Sequence, residues 1–322
     1  MGGPSTTPAL GRVLVTGAAG RLGRAVVREL TARGIVATGL ARAEDLARAE
    51  AQANDVTGHM EGAGGPTGAG GSGPAADGFR VVAGDARDPS AVTQALRDVD
   101  AVIHLAAIPT PTRDPGRTVF GDNTLATFTV LDEAARSGVR RSAIASSWSV
   151  TGLPFAPFPL EPAYLPVDER IPLQVADAYA LSKQVDEATA EMAWRRHGLS
   201  VVALRLPYLG DPDAGLAQRV AELTDDPAAG ARDMWAYLDY RDAARVCVDA
   251  VTVEFAGFAV VGLAAPETLC PYPTKALLDR FLPHVAVRAP LSGRAVPVDV
   301  TVAQRLLGFA PVYLYPVGER DL

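Results

Sequence analysis

A tyrosine and a lysine four residues apart are the strongest candidates for chemistry in this sequence. Tyr179 and Lys183 fall within a helical pattern over 177–196, and their spacing places both side chains on one face of a helix. A tyrosine with an ordinary pKa of about 10 is a poor acid or base at neutral pH. A neighbouring ammonium group favours the phenolate and lowers that pKa. The pair therefore predicts proton transfer to or from a substrate oxygen.

A serine-rich strand end provides a partner for this pair. Ser146, Ser147 and Ser149 lie where an apolar strand predicted over 142–146 ends. A hydroxyl at the carboxyl end of a parallel strand can donate a hydrogen bond to a substrate carbonyl or alkoxide. We predict Ser147 in that role, with Ser149 as the second choice.

A glycine-rich turn near the start of the chain predicts a dinucleotide site. It separates the apolar run 13–15 from a helical pattern over 21–33 and a second strand over 35–40. Glycines in this setting permit a tight turn and a close approach of the pyrophosphate to backbone N–H groups at the helix start. We expect the cofactor to contact these residues of the turn: Gly17, Ala19, Gly20, Arg21, Leu22 and Gly23.

The end of the second strand bears on which cofactor binds. An acidic residue there would bond the ribose 2′-hydroxyl and repel a 2′-phosphate, but the sequence has Arg42. Arginine pairs well with phosphate, so NADP is favoured, with NAD as the alternative. The alternative is that Arg42 is merely a solvated residue of the first helical turn. Further cofactor contacts are expected from Asp85, Ala86, Leu105, Ala106, Ala107, Asn123 and Pro207. Asn123 could also hold Lys183 through water, or could equally be a plain polar residue at the start of its helix.

Short, near-continuous apolar runs alternate with helical patterns, as expected when both faces of a parallel sheet are covered. Strands are predicted over 79–83, 101–106, 142–146, 200–206 and 258–264, and helices over 89–98, 121–137, 177–196 and 241–253. Helices over 273–282 and 298–307 and a short strand near 285–289 follow. This order predicts an α/β fold, a Rossmann-type doubly wound parallel sheet with a small C-terminal substrate-binding lobe.

The same patterns predict how the chain is divided. The dinucleotide-binding domain is expected over 11–206 and 239–265, and the substrate-binding lobe over 207–238 and 266–322. Residues 1–10 are predicted to be a flexible tail. The Gly- and Ala-rich stretch 50–78 is predicted to be a flexible surface insertion, because it has too few large apolar residues to offset chain entropy.

Composition and charge argue against several classes of protein. The formal net charge is -7 and no basic cluster is interleaved with aromatic residues, which argues against a nucleic-acid partner. Cys247 and Cys270 are the only cysteines, which argues against a disulfide scaffold and a cysteine metal site and fits a reducing compartment. No apolar run is long enough for a membrane span or a signal peptide. We expect a cytoplasmic protein without a metal, a nucleic-acid partner or a membrane association.

Taken in chain order, these motifs resemble those of one family. The glycine turn from Thr16, the pair Gly84–Asp85, the strand end at His104, Asn123, the serine segment 146–152, the Tyr179–Lys183 pair and the segment 237–244 are similar to the extended short-chain dehydrogenases. Within these, the resemblance is to the NAD-dependent epimerase/dehydratase family and covers nearly the whole chain.

This resemblance implies a catalytic triad of Ser147, Tyr179 and Lys183 and hydride transfer to or from nicotinamide. Family members often dimerise through the two helices that flank the active site, which correspond here to 121–137 and 177–196. The resemblance thus implies a homodimer.

Two departures from the family pattern bear on the substrate. Nucleotide-sugar members usually carry an asparagine where this chain has Tyr208, and an arginine where it has Trp235. A diphosphate bound without those groups would lose water for little in return. We predict instead a small, partly apolar metabolite, with contacts from Trp148, Ser149, Tyr208 and Trp235.

The leading prediction is an NADP-preferring carbonyl reductase or alcohol dehydrogenase that acts on such a metabolite. One alternative is an epimerase or dehydratase that uses tightly bound NAD(P) transiently, with a sugar as one candidate substrate. Another is a non-catalytic dinucleotide-sensing protein. The presence of Ser147, Tyr179 and Lys183 argues against the sensor, which needs the glycines but not the acid–base groups.

Overall fold

The computed structural model describes residues 10–58, 79–213 and 215–322. Its strands are β1 (Arg12–Thr16), β2 (Val36–Ala41), β3 (Arg80–Ala83), β4 (Ala101–His104), β5 (Arg141–Ser147), β6 (Ser200–Leu206), β7 (Tyr208–Gly210), β8 (Tyr237–Asp239) and β9 (Phe258–Gly262). Its helices are α1 (Arg21–Ala32), α2 (Ala43–Gly58), α3 (Pro89–Ala95), α4 (Gly116–Arg136), α5 (Ala178–His197), α6 (Leu216–Asp225), α7 (Tyr240–Thr252), α8 (Thr274–Phe281) and α9 (Thr301–Leu307).

Seven of these strands form one parallel sheet in the order β3-β2-β1-β4-β5-β6-β9. The predicted Rossmann-type α/β fold is therefore confirmed. The strand order reverses between β1 and β4, and ligands of such sheets bind at the carboxyl ends of the strands beside this switch point.

The near-continuous apolar strands are explained by packing on both faces of the sheet. On β1, Val13 and Val15 belong to one buried cluster with Val26 and Leu30 of α1, whereas Leu14 belongs to a second cluster on the opposite face. Because successive side chains of a strand point to opposite faces, every position of β1 after Arg12 is buried.

A third buried cluster forms the core of a smaller lobe that also contains the two-stranded parallel sheet of β7 and β8. It combines residues of α6 and α8 with Leu153, Leu165 and Val167. These three residues lie in the stretch that the sequence interpretation placed in the dinucleotide-binding domain, so the lobe takes part of its core from there.

Two predicted features differ from the structure. Residues 50–58 belong to α2 and not to a flexible insertion, because Ala and Glu favour a helix that has already begun at Ala43; the rest of that prediction, 59–78, lies outside the described residues, as does most of the predicted tail. The strand expected near 285–289 is reduced to a single bridge, in which Leu165 pairs with Val287.

Helices α4 and α5 pack against each other beside the sheet. They leave four large apolar side chains partly exposed, namely Leu125, Phe128, Leu181 and Trp194. The homodimer through these helices stays a prediction. Among the described residues, no helix is both long and apolar enough to cross a membrane.

Candidate active site

The turn between β1 and α1 contains two glycines that cannot carry a side chain. Gly17 has φ of +66°, and a Cβ atom there would lie 2.9 Å from the backbone nitrogen of Ala106. A Cβ atom at Gly23 would lie 2.2 Å from the carbonyl oxygen of Gly17. The turn therefore packs directly against the loop after β4 and against its own helix, as a dinucleotide-binding turn does.

Helix α1 presents an uncapped N-terminus at this turn. Its N-cap residue Gly20 makes no side-chain hydrogen bond, and the first turn, which begins with Arg21 and Leu22, contains no acidic residue. Arg24 Nη1 donates a hydrogen bond to Ala19 O at 2.8 Å and so fixes the turn. Because no capping side chain competes for the backbone N–H groups, the residues present fit the pyrophosphate of a dinucleotide.

The loop after β4 is held against the glycine turn by a buried polar contact. Thr16 Oγ1 accepts hydrogen bonds from the backbone N–H groups of Leu105 and Ala106, both at 3.2 Å. Thr16 Oγ1 also lies 2.8 Å from His104 Nδ1. Burial, with a smaller effect of Lys183, lowers the pKa of His104 to about 3. The His104 ring is therefore neutral and supports the loop.

Asn123 fastens the same loop to α5. Its Oδ1 accepts from Ile108 N at 2.8 Å, and its Nδ2 donates to Ile108 O and to Ser182 Oγ, both at 3.1 Å. The side chain is 1% exposed. The structure thus shows Asn123 fastening this loop to α5, and its predicted contacts with the cofactor and, through water, with Lys183 stay predictions.

Charged groups meet at the ends of β2 and β3, where the adenosine half of a dinucleotide is expected. Arg42 Nη1 lies 3.0 Å from Glu44 Oε1, and its Nε donates to Asp45 Oδ2 at 2.8 Å. Asp85 accepts two bonds from the guanidinium of Arg87, at 3.0 and 2.6 Å. These bonds hold the pKa of Asp85 below its ordinary value. Both predicted residues therefore already have a partner of opposite charge, and their contacts with a cofactor stay predictions.

Three further residues predicted to contact the cofactor follow strand ends. Ala86 after β3 is buried, Ala107 after β4 is exposed, and Pro207 after β6 is half-buried. Because the carboxyl ends of parallel strands meet at one edge of the sheet, these residues and the glycine turn border the same crevice.

Ser147 is the last residue of β5, and a 3-10 turn (Trp148–Thr151) follows it. Its hydroxyl donates to Ser149 Oγ and accepts from Ser149 N, both at 3.1 Å. Ser147 is half-buried, whereas Ser149 is only 8% exposed. Of the two hydroxyl groups, that of Ser147 is therefore the more exposed, and Ser149 holds it in place.

Tyr179 lies in the first turn of α5, which is fixed by a side-chain cap. Asp177 Oδ1 accepts from the backbone N–H groups of Tyr179 and Ala180, both at 2.9 Å. The Tyr179 ring meets the Phe155 ring edge-on, with centroids 6.1 Å apart. Lys183 Nζ lies 5.8 Å from the centre of the Tyr179 ring. The helix spacing thus brings phenol and ammonium together.

Lys183 is buried, and its ammonium group donates two hydrogen bonds. Its Nζ donates to Ala145 O at 2.9 Å and to Asp186 Oδ2 at 3.1 Å. Burial by itself would lower the pKa of Lys183, but Asp186 and Tyr179 raise it above its ordinary value. The lysine is therefore a cation at neutral pH, as the support of a phenolate requires.

A cleft of about 520 Å³ opens beside Phe155, and Tyr208 forms another part of its wall. Arg219 lies between two carboxylates of the lining, 2.9 Å from Glu222 Oε2 and 2.9 Å from Asp233 Oδ2. Tyr179 does not line this cleft itself, but its ring meets that of Phe155 in the cleft wall. The sequence interpretation missed the charged residues of its wall, because they lie on α6 and on the following 3-10 turn, for which it predicted no element.

The other predicted substrate contacts lie elsewhere. Trp235 is 1% exposed, and its Nε1 donates to Pro227 O at 2.7 Å. Trp148 is 8% exposed, and its Nε1 donates to Leu263 O at 3.0 Å. Both indoles belong to the core cluster of the lobe, which needs large apolar side chains because its elements are short. This corrects their predicted role at the substrate; of the four predicted contacts, Tyr208 is the one that lines the cleft.

Comparison with known proteins relates this chain to one family. The model of the NAD dependent epimerase/dehydratase family matches residues 13–221. A uronate dehydrogenase of Pseudomonas putida is 28% identical over 205 residues, 62% of each protein, so the match spans less than two thirds of that relative. An L-arabinose 1-dehydrogenase (NAD(P)(+)) of Haloferax volcanii is 28% identical over 230 residues, which cover 69% of this chain and 75% of that protein.

Solved structures share the fold. A short-chain dehydrogenase/reductase superfamily protein from Agrobacterium tumefaciens, determined with bound NAD, superposes with a TM-score of 0.63 at 22% identity. The superposition covers 94% of this chain and 93% of that one. At this identity the likeness concerns the fold alone.

Proposed function

We propose that this chain, which belongs to the NAD-dependent epimerase/dehydratase family, is an NAD(P)-dependent oxidoreductase that interconverts a small alcohol and its carbonyl compound. The observation that carries the proposal is the position of Tyr179 over the buried Lys183 ammonium, with its ring against Phe155 of the cleft wall. A phenol between a cation and a substrate cleft is suited to acid–base work on a substrate oxygen.

The proton and hydride movements assign one role to each residue. When bound, the nicotinamide cofactor accepts or supplies the hydride at the substrate carbon. In reduction, Tyr179 gives its proton to the carbonyl oxygen, and in oxidation its phenolate takes the proton of the alcohol. The Ser147 hydroxyl exchanges its bond to Ser149 for a hydrogen bond that it donates to that oxygen, and Lys183 stabilises the phenolate.

Charge balance in the cleft supports a substrate without a diphosphate. Arg219 is already paired with Glu222 and Asp233, and Arg232 Nη1 donates to Ala156 O at 2.6 Å. Phosphate oxygens would have to compete with these acceptors inside a cleft that also contains carboxylates. We therefore propose a small, uncharged and partly apolar alcohol or carbonyl compound, and free sugars belong among the compounds tested because two relatives are named as sugar-acid and sugar dehydrogenases.

A turnover assay tests this proposal. We expect purified protein to change the absorbance of NAD(P)H in the presence of one or more members of a panel of alcohols, ketones and free aldoses. The family name also supports an epimerase or dehydratase that recycles its cofactor. That alternative would form product with no net change in absorbance and with nucleotide copurifying at near-equal amount, and complete inactivity on the panel would contradict the oxidoreductase.

Arg42 supports a preference for NADP in spite of its two ion pairs. Its side chain is 52% exposed, and exposed pairs such as those with Glu44 and Asp45 are worth at most about 1 kcal/mol, so a 2′-phosphate can replace them. We expect Arg42→Ala to weaken NADP binding about tenfold and to leave NAD binding nearly unchanged. Fluorescence titration of both nucleotides measures this. Arg48→Ala, which removes a more exposed partner of Asp45, is the control; equal losses for NAD and NADP would refute the assignment.

A further inference from the structure

The surroundings of Lys183 include a carboxylate that the proposed proton transfer leaves without a role. Asp186 Oδ2 lies 3.1 Å from Lys183 Nζ, about one turn further along α5. The lysine and aspartate side chains are 5% and 2% exposed, so water screens their interaction little. A buried carboxylate at this distance acts strongly, through its electric field, on both the Lys183 ammonium and the Tyr179 phenol.

The other titratable and polar groups near Asp186 either carry no charge or are paired with a group of opposite charge. On α5, Glu187 accepts two hydrogen bonds from Arg205 of β6, at 2.9 and 2.8 Å. From β4, His104 is kept neutral by burial. From α4, Thr127 contributes a hydroxyl that interacts with the Asp186 carboxylate and carries no charge.

We propose that Asp186 is a positioning residue that holds Lys183 beneath Tyr179 and sets the pH range in which the pair works, an inference that rests on the proposed function. A nearby negative charge makes each neighbouring proton harder to lose. Asp186 thereby keeps the buried ammonium charged, and it also opposes ionisation of the Tyr179 phenol. Both effects move the working range of the pair to higher pH, which suits a general acid for carbonyl reduction.

The burial of Asp186 agrees with this role. Burial raises the pKa of the Asp186 carboxyl, and the neighbouring Lys183 opposes that rise. The lysine and aspartate therefore depend on each other for their charges. Removal of the carboxylate charge changes the proton affinity of the lysine directly and that of the phenol through space.

Asp186→Asn tests the inference because it removes the charge and nearly preserves the shape. We expect both limbs of the pH profile of kcat to move to lower pH by about one unit. Asp186→Glu keeps the charge and should restore the wild-type profile in part or in full. Glu191→Gln, on the exposed side of the same helix where it pairs with Arg195 at 2.6 Å, makes the same change in net charge and should leave the profile in place.

A second readout does not depend on turnover. The ultraviolet absorbance of tyrosinate, with the Tyr179→Phe signal subtracted in each background, reports the ionisation of Tyr179 alone. We expect its midpoint to fall in Asp186→Asn and to stay in Glu191→Gln. A midpoint and a pH profile that stay in place or move to higher pH overturn the inference. Failure of the proposed function would appear separately, as an active Tyr179→Phe variant, while the absorbance titration still tests Asp186.

Discussion

Tyr179→Phe is expected to lower kcat about a thousandfold and to leave folding and cofactor binding nearly unchanged. Phenylalanine keeps the edge-on contact with Phe155 and the ring above Lys183. It lacks only the hydroxyl, which makes no hydrogen bond to another residue in the described part of the chain. Initial rates at saturating NAD(P)H and a fluorescence titration of the nucleotide measure the two quantities.

A second tyrosine provides the matched control. Tyr272 is half-buried, and its hydroxyl donates to Thr224 O at 2.9 Å in the lobe. Tyr272→Phe should keep wild-type turnover and lose about 1 kcal/mol of stability at most. Turnover in Tyr179→Phe within a few fold of wild type would show that another group moves the proton.

The sheet could be predicted because its signals are local. An apolar run such as Ser200–Leu206 is buried on both faces, and the predicted and observed bounds of that strand agree. The membership suggested by the ordered motifs is confirmed by the family model. These motifs depend on short spacings, such as that between Tyr179 and Lys183 along one helix, which the sequence displays directly.

The packing of the lobe could not be predicted in the same way, because it depends on contacts between segments that are distant in the sequence. Trp235 is buried by residues such as Phe281. The centres of the two rings lie 6.3 Å apart, although the residues are 46 positions apart in the sequence. An aromatic residue on a loop has the same local pattern whether it lines a cleft or fills a core. For the same reason the cleft charges at Arg219 and Asp233, which meet only in the folded chain, were not found.

The sequence does contain a local signal for two contacts that the sequence interpretation missed, the acidic partners of Arg42 and Lys183. Glu44 and Asp45 follow Arg42 closely enough to pair with it, and Asp186 follows Lys183 by three residues, a spacing that brings side chains together on a helix. A sequence interpretation that tested each candidate cation for acids at these spacings would have found both. It would not have shown that the Lys183 pair is buried and the Arg42 pair exposed, which decides how strong each is.

Glu187→Gln is expected to destabilise the protein by about 3 kcal/mol. Glu187 is 8% exposed and accepts from Ser146 Oγ at 2.7 Å as well as from both Nε and Nη2 of Arg205. A neutral amide deprives the buried Arg205 guanidinium of its hydrogen-bonded carboxylate, and its remaining bond to Glu169 O cannot replace that partner. Urea unfolding followed by circular dichroism measures the change in the free energy of unfolding.

Glu191→Gln makes the same substitution one turn further along α5, where the pair with Arg195 is exposed. Its expected cost is below about 0.5 kcal/mol, because solvent screens that pair. A double variant, Glu187→Leu with Arg205→Met, separates charge from packing. If Glu187→Gln loses stability because Arg205 is left unpaired, the double variant should recover much of the lost free energy of unfolding, since it contains neither of the two buried charges. A double variant less stable than Glu187→Gln would show instead that the hydrogen bonds joining β5, β6 and α5, and not the charge balance, hold the base of the active site together.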